Sequence, residues 1–452
     1  MHNMPSARDR ECNLESPGQV ETDGASAARS VFGRWMQRVD QWRSHPWALH
    51  RWIALSCLTL MLATWRLWFP TSQTSFPAIP MFSGWVSVPW WVDWLASIGC
   101  LMGWAAVAIG RLRLGAAVGL ACGLLSIGLN QHRLQPWFYE FQLVALLILV
   151  APHIQFPRLV RVLASSIYVY SAISKLDASF LQTLGPQMVA AFIDLVPGLD
   201  STARPPAWMI WSGPLFEFVA GVLLMWPRTR RVGALMGMVL HTALLSVLGP
   251  WGLGHSLGVL LWNVHFLGVM LWLVVSPEPS GQELARIPEA RRMLAWSVLV
   301  PFLILPLTER WGIWDHWTSW AVYAPHSSRV QVFIYRGEVD RLPQELRALM
   351  QTDDVGDQLE LEVPIGRWSL QSLGVPIYPQ GRFQVGVARS VAQRVSYDFA
   401  IRCVLWGPAD RFTGRRRRIE CPDRRAIERL GRRFWLNTQP REFGRRQEDG
   451  DG

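Results

Sequence analysis

Residues 257–275 read LGVLLWNVHFLGVMLWLVV, a run without a single Asp, Glu, Lys or Arg. As a helix rising about 1.5 Å per residue, it is long enough to cross a hydrocarbon core roughly 30 Å thick. Apolar runs of this kind recur from Trp52 to Leu307. They predict spans at residues 52–69, 91–109, 114–129, 138–154, 159–174, 208–226, 232–249, 257–275 and 293–307. The fifth is short and interrupted by Arg161, Ser165 and Ser166, and everything after it inverts if it does not cross.

The composition agrees with a membrane protein. Half of the 452 residues are hydrophobic and only 17% are charged. Many of the 26 tryptophans stand at span ends, among them Trp65, Trp68, Trp90, Trp91, Trp137, Trp208 and Trp226, as an interfacial aromatic belt requires. The formal charge of +10 is read first as topology. With the N-terminus inside, the inner segments carry 17 basic residues and the outer loops 3, which fits nine crossings and an outer C-terminal region. The expected fold is an all-α polytopic bundle of about nine transmembrane helices followed by a small β-rich extracytoplasmic domain.

Residues 1–45 are polar and rich in arginine, with no apolar stretch before a cleavage site, so they read as a disordered cytoplasmic leader and not as a signal peptide. The bundle takes 46–307. A Trp-rich interfacial segment takes 308–326, where Trp311, Trp314, Trp317 and Trp320 would fall near one stripe of a short surface helix. Residues 327–439 read as the soluble domain, with strands at Val330–Tyr335, Leu359–Pro364 and Arg382–Val387 and a helix at 423–434. Residues 440–452 read as a frayed polar tail. Cys12, Cys57, Cys100 and Cys122 have no metal-ligand spacing, whereas Cys403 and Cys421 share the outer domain, where a disulfide is permitted.

Ionisable groups inside a membrane are costly and mark sites by default. His132, Glu140, Lys175, Glu217, His241, Asn263 and His265 all fall near span ends or centres. Of the 44 lysines and arginines only Lys175 is a lysine. Arginine stays charged in proteins, while a desolvated lysine can surrender its proton and act as a base. Against this stand a snorkelling Lys175 that meets Asp177 and interfacial water, and interhelical hydrogen bonds for the others. Glu217, His241 and His265 lack a short metal-ligand spacing, so no metal is assigned.

Two segments resemble the vitamin K-dependent γ-carboxylase-like membrane family, including its bacterial members with the horizontally transferred transmembrane domain. One is Tyr168-Val-Tyr170-Ser-Ala-Ile-Ser-Lys175-Leu-Asp177. The other is Glu217-x-x-x-Gly221-x-Leu223-Leu224, then Thr229-Arg230-x-x-Gly233, then His241. Asn130-Gln-His132 is a looser third match. The resemblance covers roughly residues 50–275. It implies that Lys175 is the base that deprotonates a reduced, vitamin K-like quinone, which oxygen then turns into a strong alkoxide base. It further implies that His132 and His241 hold hydroquinone or product oxygens and that a protein or peptide glutamate at the outer face is carboxylated; Glu217 and His265 join them as candidate cofactor-binding residues from the intramembrane polar cluster. The chain departs from the pattern at Ser174, where the carboxylase has a second lysine, and in its smaller outer domain.

Two functional classes follow. One is a quinol-dependent epoxidase or carboxylase with Lys175 as base. The other is a non-enzymatic scaffold that binds lipid or a partner and uses the polar cluster only to tie helices together. The arginine-rich run from Arg411 to Arg433 suits a solvated basic surface near anionic lipid headgroups, and no nucleic-acid fold signature accompanies it.

Overall fold

The computed structural model of the protein describes residues 48–196, 198, 204–351 and 359–441. The expected leader and most of the expected tail, 442–452, lie outside the described residues. The chain is mostly helical. Its first part comprises α1 Ala48–Ala63, α2 Trp91–Ala108, α3 Leu112–Leu129, α4 Pro136–Val150 and α5 Phe156–Lys175. The short helices α6 Ala178–Gln182 and α7 Leu184–Asp194 follow. Then come α8 Ala207–Met225, α9 Arg230–Leu248, α10 Leu257–Val275 and α11 Glu289–Ile304, the last continuing as a 3-10 turn to Trp311.

Six helices among the described residues are long and apolar enough to cross a membrane: α2, α3, α8, α9, α10 and α11 with its extension to Trp311. The chain is a multi-pass membrane protein. The other three expected spans differ for physical reasons. Helices α1 and α4 are apolar but have 16 and 15 residues, about 24 and 22 Å of helix against a core of roughly 30 Å. On α4 the side chains of Trp137, Phe138, Phe141, Val144 and Leu147 are all buried, so its length answers to neighbouring helices and not to lipid. Helix α5 has 20 residues, yet its polar groups lower its hydropathy. Each has a partner: Ser165 Oγ donates to the Gly221 carbonyl at 2.6 Å, Ser166 Oγ to Leu163 O at 2.7 Å, and Arg161 pairs with Glu278 at 3.1 Å.

Small residues let the backbones meet. Gly103 on α2 lies against the backbone of Gly115 and Gly119 on α3, leaving no room for a Cβ at Gly103 or Gly115. Gly221 on α8 similarly admits Tyr168 and Val169 of α5.

The C-terminal region holds a four-stranded antiparallel sheet of order β2-β1-β3-β4, made of β1 Arg329–Tyr335, β2 Glu360–Val363, β3 Ile401–Ala409 and β4 Arg416–Cys421. Around it lie α12 Gln344–Gln351, α13 Ile365–Leu373, α14 Gly381–Ala392 and α15 Arg424–Gly431. The expected strands at 330–335 and 359–364 are present as β1 and β2. The expected strand at Arg382–Val387 is instead part of α14. Its alternating Phe383, Val385 and Val387 mimic a strand over six residues, but across the full segment Phe383, Val387 and Val391 recur every fourth residue, which is helical spacing. The Trp-rich stripe also fails to form: beyond Trp311 the chain runs in turns, leaving Trp311 75% exposed and Trp320 fully buried. Cys403 stands directly opposite Cys421 in the β3–β4 register, and both are free thiols.

The described residues from Leu49 onward form one compact body, so the sheet region is not a detached domain. Asp93 at the start of α2 has no exposed surface and holds two arginines, Arg133 at 2.6 Å and Arg441 by a short contact. Arg441 also exchanges backbone hydrogen bonds with Ala78, so residue 441 is anchored where a frayed end was expected. Removing one partner of a buried ion pair strands the other and costs about 3–5 kcal/mol. Asp93→Ala is therefore expected to lower unfolding stability in detergent by that order, and a loss below about 1 kcal/mol would show that the triad does not hold the body together.

Candidate functional site

Pro157 starts α5, and the helical period then places Tyr168, Ser171 and Lys175 on one stripe at i, i+3 and i+7. All three face a cavity of about 550 Å³. The Lys175 ammonium is nearly buried and donates to Ser171 Oγ at 2.6 Å, to Ser171 O at 3.1 Å and to Glu217 Oε2 at 2.9 Å. Glu217 comes from α8, so the ion pair joins two helices across the cavity wall.

A second polar group stands on the same wall. Asn263 Nδ2 donates to the Val259 carbonyl at 2.9 Å, which leaves its Oδ1 to accept from His241 Nδ1 at 2.8 Å. His241 Nε2 is then the acceptor for the Tyr168 hydroxyl at 2.6 Å. The imidazole also stacks on Phe266 at 4.9 Å with an interplanar angle of 4°. Most of the remaining lining is apolar, including Ile167, Phe180, Met188, Leu244 and Val247. Trp208 and Phe192, both exposed, also line it and mark its open rim. An apolar chamber of this size with a few convergent polar groups is the usual form of a small-molecule site.

Of the five residues expected to form the site, Lys175, Glu217 and His241 come together around the cavity. His265 does not. It lies behind the wall on α10, 3.4 Å from Glu140 Oε1, while Trp262 donates to Glu140 Oε2 at 2.7 Å. His132 is further removed. It occupies the turn Gln131–Arg133 between α3 and α4, with Nε2 2.9 Å from the Pro376 carbonyl and its ring against Phe76 and Phe383. That histidine joins the helices to the C-terminal region. Ser171, which sequence reasoning missed, was discoverable from its position one turn before Lys175.

The cavity lies toward the C-terminal region. Arg411 donates to the Leu176 carbonyl at 3.0 Å, and the amide of Ala178 donates to Arg411 O at 2.8 Å. Arg161, fourteen residues before Lys175 and about 21 Å away along α5, pairs with Glu278, which also pairs with Arg230. Paired charges thus close the opposite end of these helices.

No family model matches the sequence, and no curated protein and no solved structure matches it significantly.

Burial pushes the His132 imidazole down to about 4, with Arg133 acting in the same direction and the bond to Pro376 O only partly offsetting them. The unfolded chain takes up this proton near pH 6.5, whereas the native state refuses it until about pH 4. Native stability is therefore intact above pH 6.5 and falls as the pH drops, by an amount approaching about 3 kcal/mol at pH 4. His132→Gln is expected to flatten the dependence of the unfolding midpoint on pH between 7 and 4.5, and equal slopes for the two proteins would refute the assignment.

Proposed function

We propose that the chain is a γ-carboxylase-like membrane enzyme in which Lys175 removes a proton from a hydroxyl of a reduced quinone held in the cavity. The observation that carries this reading is that the only lysine in the sequence has its amine at the wall of an apolar chamber inside the helical body. A reduced quinone supplies oxidisable hydroxyls on an apolar ring. The donor set fits such a group: Lys175 and the Tyr168–His241–Asn263 chain are polar points in an otherwise apolar lining, suited to a flat ring with oxygens at its edges.

Ser171 and Glu217 orient the Lys175 amine from two sides. To act as base Lys175 must be the neutral amine, the form it takes when its own proton sits on Glu217; that proton can pass between amine and carboxylate without changing the net charge of the chamber. His241, fixed by Asn263, accepts from Tyr168 and so presents the phenol in a defined orientation. The apolar lining excludes water from the amine. In this reading the chain crosses the membrane nine times with its N-terminus in the cytoplasm. The C-terminal sheet region then lies on the extracytoplasmic face, from which a peptide substrate would approach.

The test is mass spectrometry of lipid extracted from the purified protein, together with quinol oxidation assays. A bound quinone is expected, and Lys175→Ala should slow quinol oxidation by about 10²–10⁴-fold, the usual contribution of a positioned base. Lys175→Arg should be as inactive, because arginine does not release its proton. Absence of quinone, with equal rates for all three proteins, would remove the enzyme reading and leave a structural ion pair.

A further inference from the structure

Where the last membrane helix ends, the chain builds a second cluster that the cavity does not use. Glu309 lies in the 3-10 turn after α11, and His316 and His326 bracket the irregular segment that follows. Their ligand atoms lie within 4.8 Å of one another: His316 Nδ1 is 2.9 Å and His326 Nε2 is 3.0 Å from the same oxygen, Glu309 Oε1. His326 is fully buried, His316 is nearly so, and the Glu309 side chain retains a small exposed area.

With neutral imidazoles the hydrogen positions in this cluster do not close. His316 Nε2 is 2.9 Å from the Ala324 carbonyl, which can only accept, so Nε2 carries the hydrogen. In neutral imidazole Nδ1 then presents a lone pair to a carboxylate oxygen that also has only lone pairs. On His326, a hydrogen on Nε2 would satisfy Glu309 but leave the lone pair of Nδ1 buried, without a hydrogen-bond partner, and 3.8 Å from Asp177 Oδ2. Protons alone resolve both conflicts only if both rings are imidazolium, with centroids 4.7 Å apart.

We infer that Glu309 Oε1, His316 Nδ1 and His326 Nε2 form a site for a divalent first-row transition ion, with zinc as the best-matched ion. Two imidazoles and one carboxylate are a standard zinc donor set and leave a fourth position open. Metal–ligand bonds of 2.0–2.2 Å place tetrahedral ligands about 3.3 Å apart, so the contacts at 2.9 and 3.0 Å need to open by only a few tenths of an ångström. With the ion in place, His326 carries its hydrogen on Nδ1 toward Asp177, and His316 carries its own on Nε2 toward Ala324. His316 then has the outer acceptor that metal-bound imidazoles use for orientation, and His326 Nδ1 faces Asp177 Oδ2 at 3.8 Å, which a small shift of the carboxylate would bring into reach.

The position gives the ion a structural task. Asp177 follows Lys175 by two residues and pairs with Arg310 at 3.0 Å. The segment between the two histidines supplies Val322 and Tyr323 to the cavity lining, and Trp320 and Tyr323 adopt left-handed φ values of 60° and 58°. Non-glycine residues hold that conformation only when the surroundings impose it. An ion bound by His316 and His326 clamps both ends of this segment to the end of α11. This inference is independent of the role proposed for Lys175.

The full-length protein, purified in detergent and stripped with a chelator, is titrated with Zn²⁺ and with Co²⁺. Metal content is read by plasma mass spectrometry and cobalt coordination by its visible ligand-field bands. About one equivalent per chain is expected, with affinity at least tenfold weaker in Glu309→Gln and His326→Ala. Lys175→Ala should bind as wild type does, which separates this result from failure of the quinol reading. A stripped wild type that elutes as a folded species yet takes up neither ion would overturn the site. So would unchanged binding in both ligand variants. Should those variants aggregate, the wild-type cobalt spectrum decides: tetrahedral bands support the site, and the spectrum of hexaaquo cobalt refutes it.

Discussion

The structure depends on the rule that a charge removed from water must meet its opposite. Asp93 has no exposed surface, and two arginines distant in sequence converge on it: Arg133 from the turn before α4 and Arg441 near the end of the described chain. Arg133 further donates to the carbonyls of Leu67 and Trp68. One carboxylate thus gathers the segment after α1, the start of α2, the turn before α4 and the C-terminal residues. The sheet region is held against the helices by buried charge as well as by apolar contact, and both belong to one body.

Similar links continue across the junction. Arg382 of α14 donates to Gln131 at 2.8 Å and to Asp315 at 2.6 Å, and Tyr378 donates to the other oxygen of Asp315 at 2.6 Å. Gln131 in turn donates to the carbonyls of Pro80 and Asn437. His132 is embedded in this junction, which explains why a histidine near a span end serves packing and not the cavity. The same requirement acts within the helices, where Lys175 is compensated by Glu217 and Ser171, and Arg161 and Arg230 share Glu278. The Lys175 pair differs because it faces an open chamber.

Much of the helical architecture was legible because lipid imposes a minimum apolar length. Helices α2, α3, α8, α9, α10 and α11 stand where apolar runs predicted them. The rule loses its grip on a helix surrounded by protein. Helix α4 needs no full span, and α5 can carry Ser165 and Arg161 because the Gly221 carbonyl of α8 and Glu278 of the loop after α10 receive their bonds. Helix α14 was misread because Phe383, Val385 and Val387 alternate over a short window, whereas its helical spacing of Phe383, Val387 and Val391 shows only over the longer segment. Strands β3 and β4 were missed because arginines dominate β4 and Gly407 and Pro408 interrupt the strand pattern in β3.

The sequence by itself determined that the chain enters membranes, where its apolar helices lie, and that Lys175, Glu217 and His241 are polar groups in an unfavourable solvent. Those conclusions rest on local composition, because the cost of placing charge in hydrocarbon is paid residue by residue. Tertiary structure alone decided which groups meet. It paired Lys175 with Glu217 across α5 and α8, chained His241 to Tyr168 and Asn263, turned His265 toward Glu140 and assigned His132 to the junction. It also converged Glu309, His316 and His326 from irregular chain with no recognisable ligand spacing. Side-chain direction depends on how helices rotate and pack against one another, and that is set by contacts between residues far apart in the chain.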